Sequence, residues 1–277
     1  FAPLTDSYEE ANRIKGQEPI TVVIGNPPYK EKAKGRGGWV EQGRSGQAPL
    51  MDDWGKNTPK EWNAGAHLKH LKNLYVYFRM LAAWKVFGDV NATGQSIRQD
   101  RKGVVCFITA AGFLKGPGFQ KMRADLRRDA DEIWVIDATP EDHQPPVNSR
   151  IFQGVMQPIC IVIAARNTDV GTSDPAVVRF RRLPAAHRKD KFEALSLIGL
   201  NDPEWEVCPI EAKASFLPAA EGVWGASAPL KDMFLKASPG VLAGRTWVIA
   251  PDGGSLRERW RMLRDETAAA RKEVLFH

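Results

Sequence analysis

Residues 26–29 of the 277-residue chain read Asn-Pro-Pro-Tyr, and they combine a stiff backbone with an amide and a phenol. They follow the apolar, β-branched run of residues 21–24, which predicts a short strand. Because proline has no N–H to donate to a strand ladder, the two prolines are expected to end that strand. Ligands bind at the carboxyl ends of strands in open α/β sheets, so the tetrapeptide is a candidate ligand-binding loop.

The chemistry of this loop suits a planar substrate that carries an amino group. Asn26 supplies an amide oxygen, and Tyr29 offers an aromatic face with a polar tip. The rings of Pro27 and Pro28 fix the directions of the loop carbonyls. Two acceptors would take both amino hydrogens and turn the nitrogen lone pair toward an electrophile, such as a methyl group held in line. The simpler alternative is a rigid turn with no chemistry.

An alternation of strands and helices is expected to position the loop. A continuous apolar run at residues 103–110 is typical of a parallel strand buried on both faces, and further strands are predicted at residues 132–137 and 157–165. Helices are predicted from about residue 67 to residue 87 and after Pro117. Residues 30–63 lack periodicity and predict a long mobile loop. This order matches the second half of a doubly wound α/β sheet.

The basic residues are concentrated in three stretches. The chain has 39 Lys and Arg residues against 33 Asp and Glu residues, a net charge of +6. Basic stretches occupy residues 30–38, 179–191 and 257–264. One such stretch is usually a solvated face, but three of them in a chain with a loop suited to an amino-bearing substrate favour a polyanionic partner. The candidate phosphate-binding residues are Lys30, Arg179, Arg181 and Arg182.

Composition excludes several classes of protein. Hydrophobic residues make up 43% and charged residues 26% of the chain, as in an ordinary soluble protein. No apolar run reaches the length of a membrane span, so no membrane association is expected. Cys106, Cys160 and Cys208 are unpatterned, which predicts isolated thiols in a reducing cytoplasm. The five histidines lack metal spacing, so no metal site is expected.

Residues 22–29, VVIGNPPY, resemble the catalytic motif of amino-directed, S-adenosylmethionine-dependent methyltransferases, in the form used on adenine of DNA. The resemblance implies that Asn26 and the carbonyl of Pro27 bind the adenine N6 amino group. It also implies that Pro28 completes the catalytic loop and that Tyr29 stacks on the flipped base. Enzymes that methylate protein glutamine or ribosomal RNA guanine carry a similar motif, so these two substrates remain alternatives to adenine.

A wider resemblance covers nearly the whole chain. Residues 66–87, 103–141 and 148–167 are similar to the methyltransferase of Type I single-polypeptide restriction–modification enzymes and related phage-defence methylases. Residues 221–252 and 271–277 resemble the start of their target-recognition region. The resemblance implies half of a Rossmann-like methyltransferase domain at residues 1–167 and part of an α+β DNA target-recognition region at residues 168–277.

The chain departs from this family at its beginning. In such enzymes a glycine-rich strand-loop that binds S-adenosylmethionine precedes the catalytic motif by many tens of residues, whereas 25 residues precede Asn26. Most of the cofactor pocket is therefore expected in a missing N-terminal half of the same polypeptide. The resemblance implies a site-specific adenine-N6 methyltransferase acting on double-stranded DNA in the cytoplasm, with this chain incomplete and inactive alone. A non-catalytic DNA-binding module is the alternative.

Overall fold

Six strands form one mixed sheet in the computed structural model, which describes residues 2–16, 20–88, 101–167, 175–220, 227–228 and 246–276. The strands are β1 (Val22–Gly25), β2 (Gly103–Ala110), β3 (Glu132–Asp137), β4 (Ile159–Arg166), β5 (Val177–Arg182) and β6 (Glu206–Val207). They lie in the order β1-β2-β4-β3-β5-β6. β1 is parallel to β2 and β3 is parallel to β5, whereas β4 is antiparallel to both β2 and β3. The carboxyl ends of β1, β2, β3 and β5 therefore lie at one edge of the sheet.

The chain divides into two compact units, Phe1–Ala220 and Glu221–His277. The helices of the first unit are α1 (Ala2–Gly16), α2 (Gly38–Gln42), α3 (Leu74–Phe87), α4 (Gln120–Asp129) and α5 (Arg188–Ser196). The second unit contains α6 (Gly253–Asp265) and α7 (Ala269–Phe276). None of the described helices has both the length and the apolar character needed to cross a membrane.

The main core lies between one face of the sheet and helices α3 and α4. Val105, Phe107 and Val162 of the sheet share one buried cluster with Val76 of α3 and Met122 of α4. The predicted α/β class and the order strand, helix, strand, helix, strand, strand are confirmed. β1 to β4 were predicted because each contains an apolar run, whereas β5, in which arginines interrupt the apolar residues, and the two-residue β6 were not predicted. The Rossmann-like methyltransferase character of the sheet stays a prediction.

The helix predicted from residue 67 begins later than expected. Gly65–Lys72 form a 3-10 helix, and α3 starts at Leu74. Asn73 between them is extended (φ −94°, ψ 143°), and its Oδ1 accepts a hydrogen bond from the N–H of Lys32 at 3.2 Å. This contact, made with a residue distant in sequence, interrupts a pattern that reads as one helix.

The prediction of a structureless loop at residues 30–63 is wrong. These residues contain α2 and two 3-10 turns, Leu50–Asp52 and Lys60–Trp62. Val40 and Trp54 bury their side chains in the main core. Single anchors at irregular spacing produce no periodicity, so the sequence pattern does not reveal them.

The sheet continues beyond residue 167. β5 pairs with β3, so strands on both sides of the predicted domain boundary at residues 167 and 168 belong to one sheet. The compact units divide instead between Ala220 and Glu221. Within the segment that resembles a recognition region, residues 221–226, 229–245 and 277 lie outside the described residues.

The second unit is capped and packed by its own side chains. The carboxylate of Asp252 accepts a hydrogen bond from the N–H of Gly254 at 2.7 Å, which caps α6. The ring of Trp247 stacks on Trp260 of α6, with centroids 5.9 Å apart. Arg259, in the basic stretch 257–264, donates to the carbonyl of Trp247 at 3.3 Å. Part of this stretch therefore serves the structure of the unit itself.

Two buried arginines of α4, Arg123 and Arg127, here named the arginine clamp, hold residues 209–216 against the rest of the first unit. The guanidinium of Arg127 lies 4.5 Å from the ring centroid of Phe216. Arginine carries five donors in a rigid plane, so two side chains can satisfy many carbonyls of an irregular segment. The carbonyls bound are those of Phe113, Gly116, Lys213 and Ala214 for Arg123, and those of Pro209, Ala212, Ala214 and Ser215 for Arg127.

Arg127→Met should lower the free energy of unfolding by about 2–4 kcal/mol, because buried carbonyls lose their donors. Denaturant titration measures this change. Arg128→Met is the matched control: Arg128 lies beside it on α4, half-exposed, and pairs with Asp129, so its loss should cost about 0–1 kcal/mol. Equal destabilisation by the two substitutions would contradict the role of the clamp.

Candidate functional site

The tetrapeptide at residues 26–29, here named the NPPY loop, leaves the sheet where β1 ends at Gly25. Gly25 has no room for a side chain, since a Cβ there would lie 2.9 Å from Cε1 of Phe107 in β2. This close approach fixes the point at which the loop departs. Pro27 is buried and Tyr29 half-buried, whereas Asn26 is exposed to a ligand.

Tyr29 is held at both its hydroxyl and its backbone. The hydroxyl donates a hydrogen bond to Oδ1 of Asn26 at 2.7 Å and lies 3.4 Å from the carbonyl oxygen of Ile108 in β2. The carbonyl of Tyr29 accepts from Nε2 of Gln157 at 3.4 Å. Burial raises the pKa of the Tyr29 phenol, which keeps the hydroxyl protonated and able to donate.

The ring of Tyr29 packs on the second, smaller apolar cluster of the sheet, which includes Ile136 and Ile159. The ring of Phe152 lies 6.4 Å away between centroids, tilted by 53°. Two aromatic rings beside an exposed amide suit a flat, amino-bearing ligand. Sequence reasoning missed Phe152 because it lies in an irregular segment that carries no motif.

The exit of the loop is tied to the start of α3. The carbonyl of Lys30 accepts from the N–H of Leu74 at 2.8 Å. The bond from Lys32 to Asn73 lies next to it. Lys30 is exposed immediately after the loop, and its contact with phosphate stays a prediction.

An apolar groove of about 400 Å³ runs beside the NPPY loop. One wall is formed by Ile24 and residues 25–28, and the other by Phe78, Leu81 and Lys85 of α3. Ile24 is 77% exposed and Phe78 44% exposed, which are high values for large apolar side chains. Among the described strands, β1 pairs with β2 alone, so its other edge is open.

A second pocket, of about 300 Å³, opens at the carboxyl ends of β2, β3 and β5. Asp137, Arg182 and Gln157 line it. Burial raises the pKa of Asp137, while a hydrogen bond from the N–H of Thr139 and the charge of Arg182 oppose this rise. Carboxylates perturbed in this way are common at functional sites. Asp137 ends a predicted strand, so the rule that identified Asn26 could also have found it.

The three candidate arginines all lie on β5, and each contacts a carboxylate. The partners are Glu132 at 2.9 Å for Arg179, Asp202 at 2.7 Å for Arg181 and Glu206 at 3.4 Å for Arg182. Side chains alternate along a strand, so Arg182 points to the opposite side from the other two. Of the three, Arg182 lines the second pocket. Gln157 lines the same pocket and donates to the carbonyl of Tyr29. Phosphate binding by the three arginines stays a prediction.

Lys191 closes the basic stretch 179–191 but cannot reach a phosphate. Its side chain is fully buried in α5. It donates to the carbonyl of Ala138 at 3.1 Å and to Glu141 at 2.8 Å. These bonds fix the turn after β3, which forms a wall of the second pocket. The expectation that the whole stretch faces a polyanion is wrong for Lys191, because a charge count does not show burial.

Within the described ranges, no three His, Cys, Asp or Glu side chains gather as metal ligands. Cys106, Cys160 and Cys208 are free thiols, and Cys160 and Cys208 are buried.

Solved structures show what the fold is similar to, although no protein-family model matches the chain and no curated protein matches its sequence. One similar structure is the ATP-dependent Type ISP restriction-modification enzyme LlaBIII bound to DNA, with a TM-score of 0.53 and 18% identity over 75% of this chain and 13% of that chain. A second is the DrdV–DNA complex, with a TM-score of 0.53 and 19% identity over 76% of this chain and 19% of that chain.

A third similar structure is a nuclease-deletion mutant of the Type ISP restriction-modification enzyme LlaGI in complex with a DNA substrate mimic. Its TM-score is 0.52, with 18% identity over 76% of this chain and 19% of that chain. At these identities the similarity shows the fold alone. The chain spans less than a fifth of the length of each of these three proteins.

Asp137→Asn should raise the free energy of unfolding at pH 7, because it removes a buried charge and keeps the acceptor oxygen for Thr139. A carboxyl whose pKa is higher in the folded than in the unfolded protein lowers the free energy of unfolding at a pH where it is ionised in both. This loss vanishes at a pH where the carboxyl is protonated in both. The gain should therefore shrink as the pH falls from 7 toward about 4. Denaturant titration across this range tests it, with the exposed pocket residue Asp142→Asn as control. A gain that is independent of pH would contradict the burial effect.

Proposed function

We propose that this chain carries the catalytic loop of an S-adenosylmethionine-dependent DNA adenine-N6 methyltransferase, part of a restriction–modification or phage-defence enzyme of the cytoplasm. The observation that carries the proposal is the NPPY loop. It presents an exposed amide and a phenol at the carboxyl end of β1, in a fold similar to that of Type ISP restriction-modification enzymes. The six-stranded sheet would be the second half of a Rossmann-like methyltransferase sheet.

The amino group of adenine would bind between Oδ1 of Asn26 and the carbonyl of Pro27. Each oxygen accepts one N6 hydrogen, which leaves the nitrogen lone pair out of the ring plane and directed to one side. S-adenosylmethionine, when bound, supplies the electrophilic methyl group. The work of Asn26 and Pro27 is orientation, which is worth several kcal/mol in a reaction between two molecules.

The target adenine must leave the DNA helix, because a stacked base cannot present its amino group to Asn26. Tyr29 would stack on the flipped base, a contact worth roughly 1–3 kcal/mol. Phe152 stands beside Tyr29 at the same site. Lys30 and Arg182 would hold phosphates, with Arg179 and Arg181 contributing charge, and such contacts position DNA without choosing its sequence.

Most of the cofactor pocket is proposed to lie in a preceding part of the same polypeptide. The groove beside the loop is lined by apolar side chains, Asn26 and Lys85, and the described residues around it include no carboxylate for ribose hydroxyls. The open edge of β1, with Val22 54% exposed, suits a further strand and its packing. The matched region makes up 13% to 19% of each of the longer proteins of similar fold.

Double-stranded DNA is the proposed partner. Three proteins of similar fold were solved with DNA or a DNA mimic, and the chain carries a net charge of +6. An enzyme for protein glutamine or for RNA would use the same two acceptors. A non-catalytic DNA-binding module would not use them.

In the full-length protein, Asn26→Ala should slow methylation of adenine in duplex DNA by roughly 100- to 1,000-fold, because an acceptor that orients the amino nitrogen is lost. Incorporation of a labelled methyl group measures the rate, and fluorescence anisotropy should show little change in DNA affinity. Asn148→Ala, which removes an exposed amide elsewhere, is the control. Undiminished transfer in Asn26→Ala would refute the catalytic role. Transfer to a glutamine peptide or RNA instead of DNA would refute the substrate.

Arg182→Gln should weaken binding to DNA of every sequence and reduce the slope of log affinity against log salt by about one. Arg182 faces the pocket with a loose ion pair at 3.4 Å, so its charge is open to a phosphate. Arg181→Gln is the matched comparison, since Arg181 is paired with Asp202 at 2.7 Å. A larger effect from Arg181→Gln than from Arg182→Gln would contradict this assignment.

A further inference from the structure

The hydroxyl of Tyr29 faces two acceptors but carries a single proton. Oδ1 of Asn26 lies 2.7 Å from it, and the carbonyl oxygen of Ile108 lies 3.4 Å from it. O–H···O hydrogen bonds have lengths of roughly 2.5–3.0 Å. The proton is therefore donated to Asn26, and the Ile108 carbonyl makes a long contact without a proton of its own.

Pro27 explains why the carbonyl of Ile108 is open to this hydroxyl. In the parallel pairing of β1 with β2, Val22 lies opposite Val104, and the N–H of Val104 donates to the carbonyl of Thr21. A parallel ladder advances by two residues, with each bonded residue joined to the residues on both sides of its partner. If this ladder continued to Ile108, the N–H of residue 27 would donate to the Ile108 carbonyl. Residue 27 is a proline, so it has no N–H to donate.

The Asn26 oxygen is also the atom that the proposed substrate amino group requires. While Tyr29 donates to it, the amino group must share or displace that bond. Displacement would leave a protonated phenol without an acceptor, and leaving a partly buried donor unpaired is costly. The Ile108 carbonyl offsets part of this cost, because it lies within reach of the same hydroxyl, at the longer distance of 3.4 Å.

We propose that the Tyr29 hydroxyl is a positioning group that exchanges acceptors. It donates to Oδ1 of Asn26 in the base-free protein and to the carbonyl of Ile108 once an amino group binds Asn26. One hydrogen bond is broken and one is made by the hydroxyl, so its proton is never left unpaired. The backbone of Ile108 is thereby part of the base-binding site. This inference rests on the proposed function, in which Asn26 accepts from the amino group of adenine.

The surroundings of Tyr29 favour such an exchange. The ring is held by the apolar cluster that includes Ile136 and Ile159, so the exchange requires rotation about the C–O bond and a small shift of the ring. Burial raises the pKa of the phenol, and the hydroxyl therefore keeps its proton near neutral pH.

Tyr29→Phe tests the exchange, since it keeps the ring and removes the hydroxyl. The full-length protein would be titrated, without a methyl donor, with two duplexes that carry 2-aminopurine beside the target as a fluorescent reporter of flipping. One duplex has adenine at the target position, and the other has purine, which lacks the 6-amino group. Because the hydroxyl competes with the amino group, Tyr29→Phe should bind the adenine duplex roughly fivefold more tightly and leave the purine duplex unchanged. Tyr8→Phe, an exposed tyrosine of α1, is the control and should change neither.

Pro27→Ala supplies the second arm of the test. Alanine restores an N–H that can occupy the Ile108 carbonyl, so the displaced hydroxyl has no acceptor and the adenine duplex should bind less tightly. The gain from Tyr29→Phe should then be larger in the Pro27→Ala background than in the parent protein. Strictly additive effects of the two substitutions would overturn the exchange.

The outcomes separate this inference from the proposed function. If the parent protein flips no base and does not distinguish adenine from purine, the proposed function fails. If the parent prefers the adenine duplex and Tyr29→Phe leaves that preference unchanged or weakens it, the exchange is wrong while the proposed function stands.

Discussion

Residue 27 has no backbone N–H, and the surroundings of the NPPY loop follow from that missing donor. It stops β1 at Gly25 and leaves the carbonyl of Ile108 without its ladder partner. A residue with an N–H at position 27 could add a hydrogen bond between β1 and β2 and place Asn26 within a regular strand. The proline instead turns a strand end into a loop, and the phenol of Tyr29 lies beside the carbonyl of Ile108.

The loop is stiff because contacts from different elements converge on it. β2 presses against Gly25, the start of α3 holds the backbone of Lys30, and Gln157 binds the carbonyl of Tyr29. The extended Asn73, which shortens α3, belongs to the same support through its bond to Lys32. A small polar site keeps useful geometry when its backbone is fixed from several directions, and here a sheet edge and a helix start provide that fixing.

The sequence predicted well the features that depend on neighbouring residues. β1 to β4 contain apolar runs, and Pro27 acts on its own strand, so these four strands and the loop were foreseeable. Features that depend on distant contacts were not. The interruption at Asn73, the ring of Phe152 beside Tyr29 and the burial of Lys191 each require a partner more than forty residues away. The pairing of charges also depends on distant contacts, because composition counts arginines and cannot show which ones face a carboxylate.

The arginine clamp has a consequence for how such chains can recombine. Arg123 and Arg127 bind backbone carbonyls of residues 209–215, which every amino acid possesses, so those positions can drift in sequence without losing the bonds. Phe216 is the residue of this segment whose side chain matters, because it is fully buried against the guanidinium of Arg127. The first unit ends four residues later, at Ala220. A crossover after Ala220 therefore leaves the first unit whole and accepts a foreign continuation. Gene shuffling, whether natural or in the laboratory, has a ready junction there.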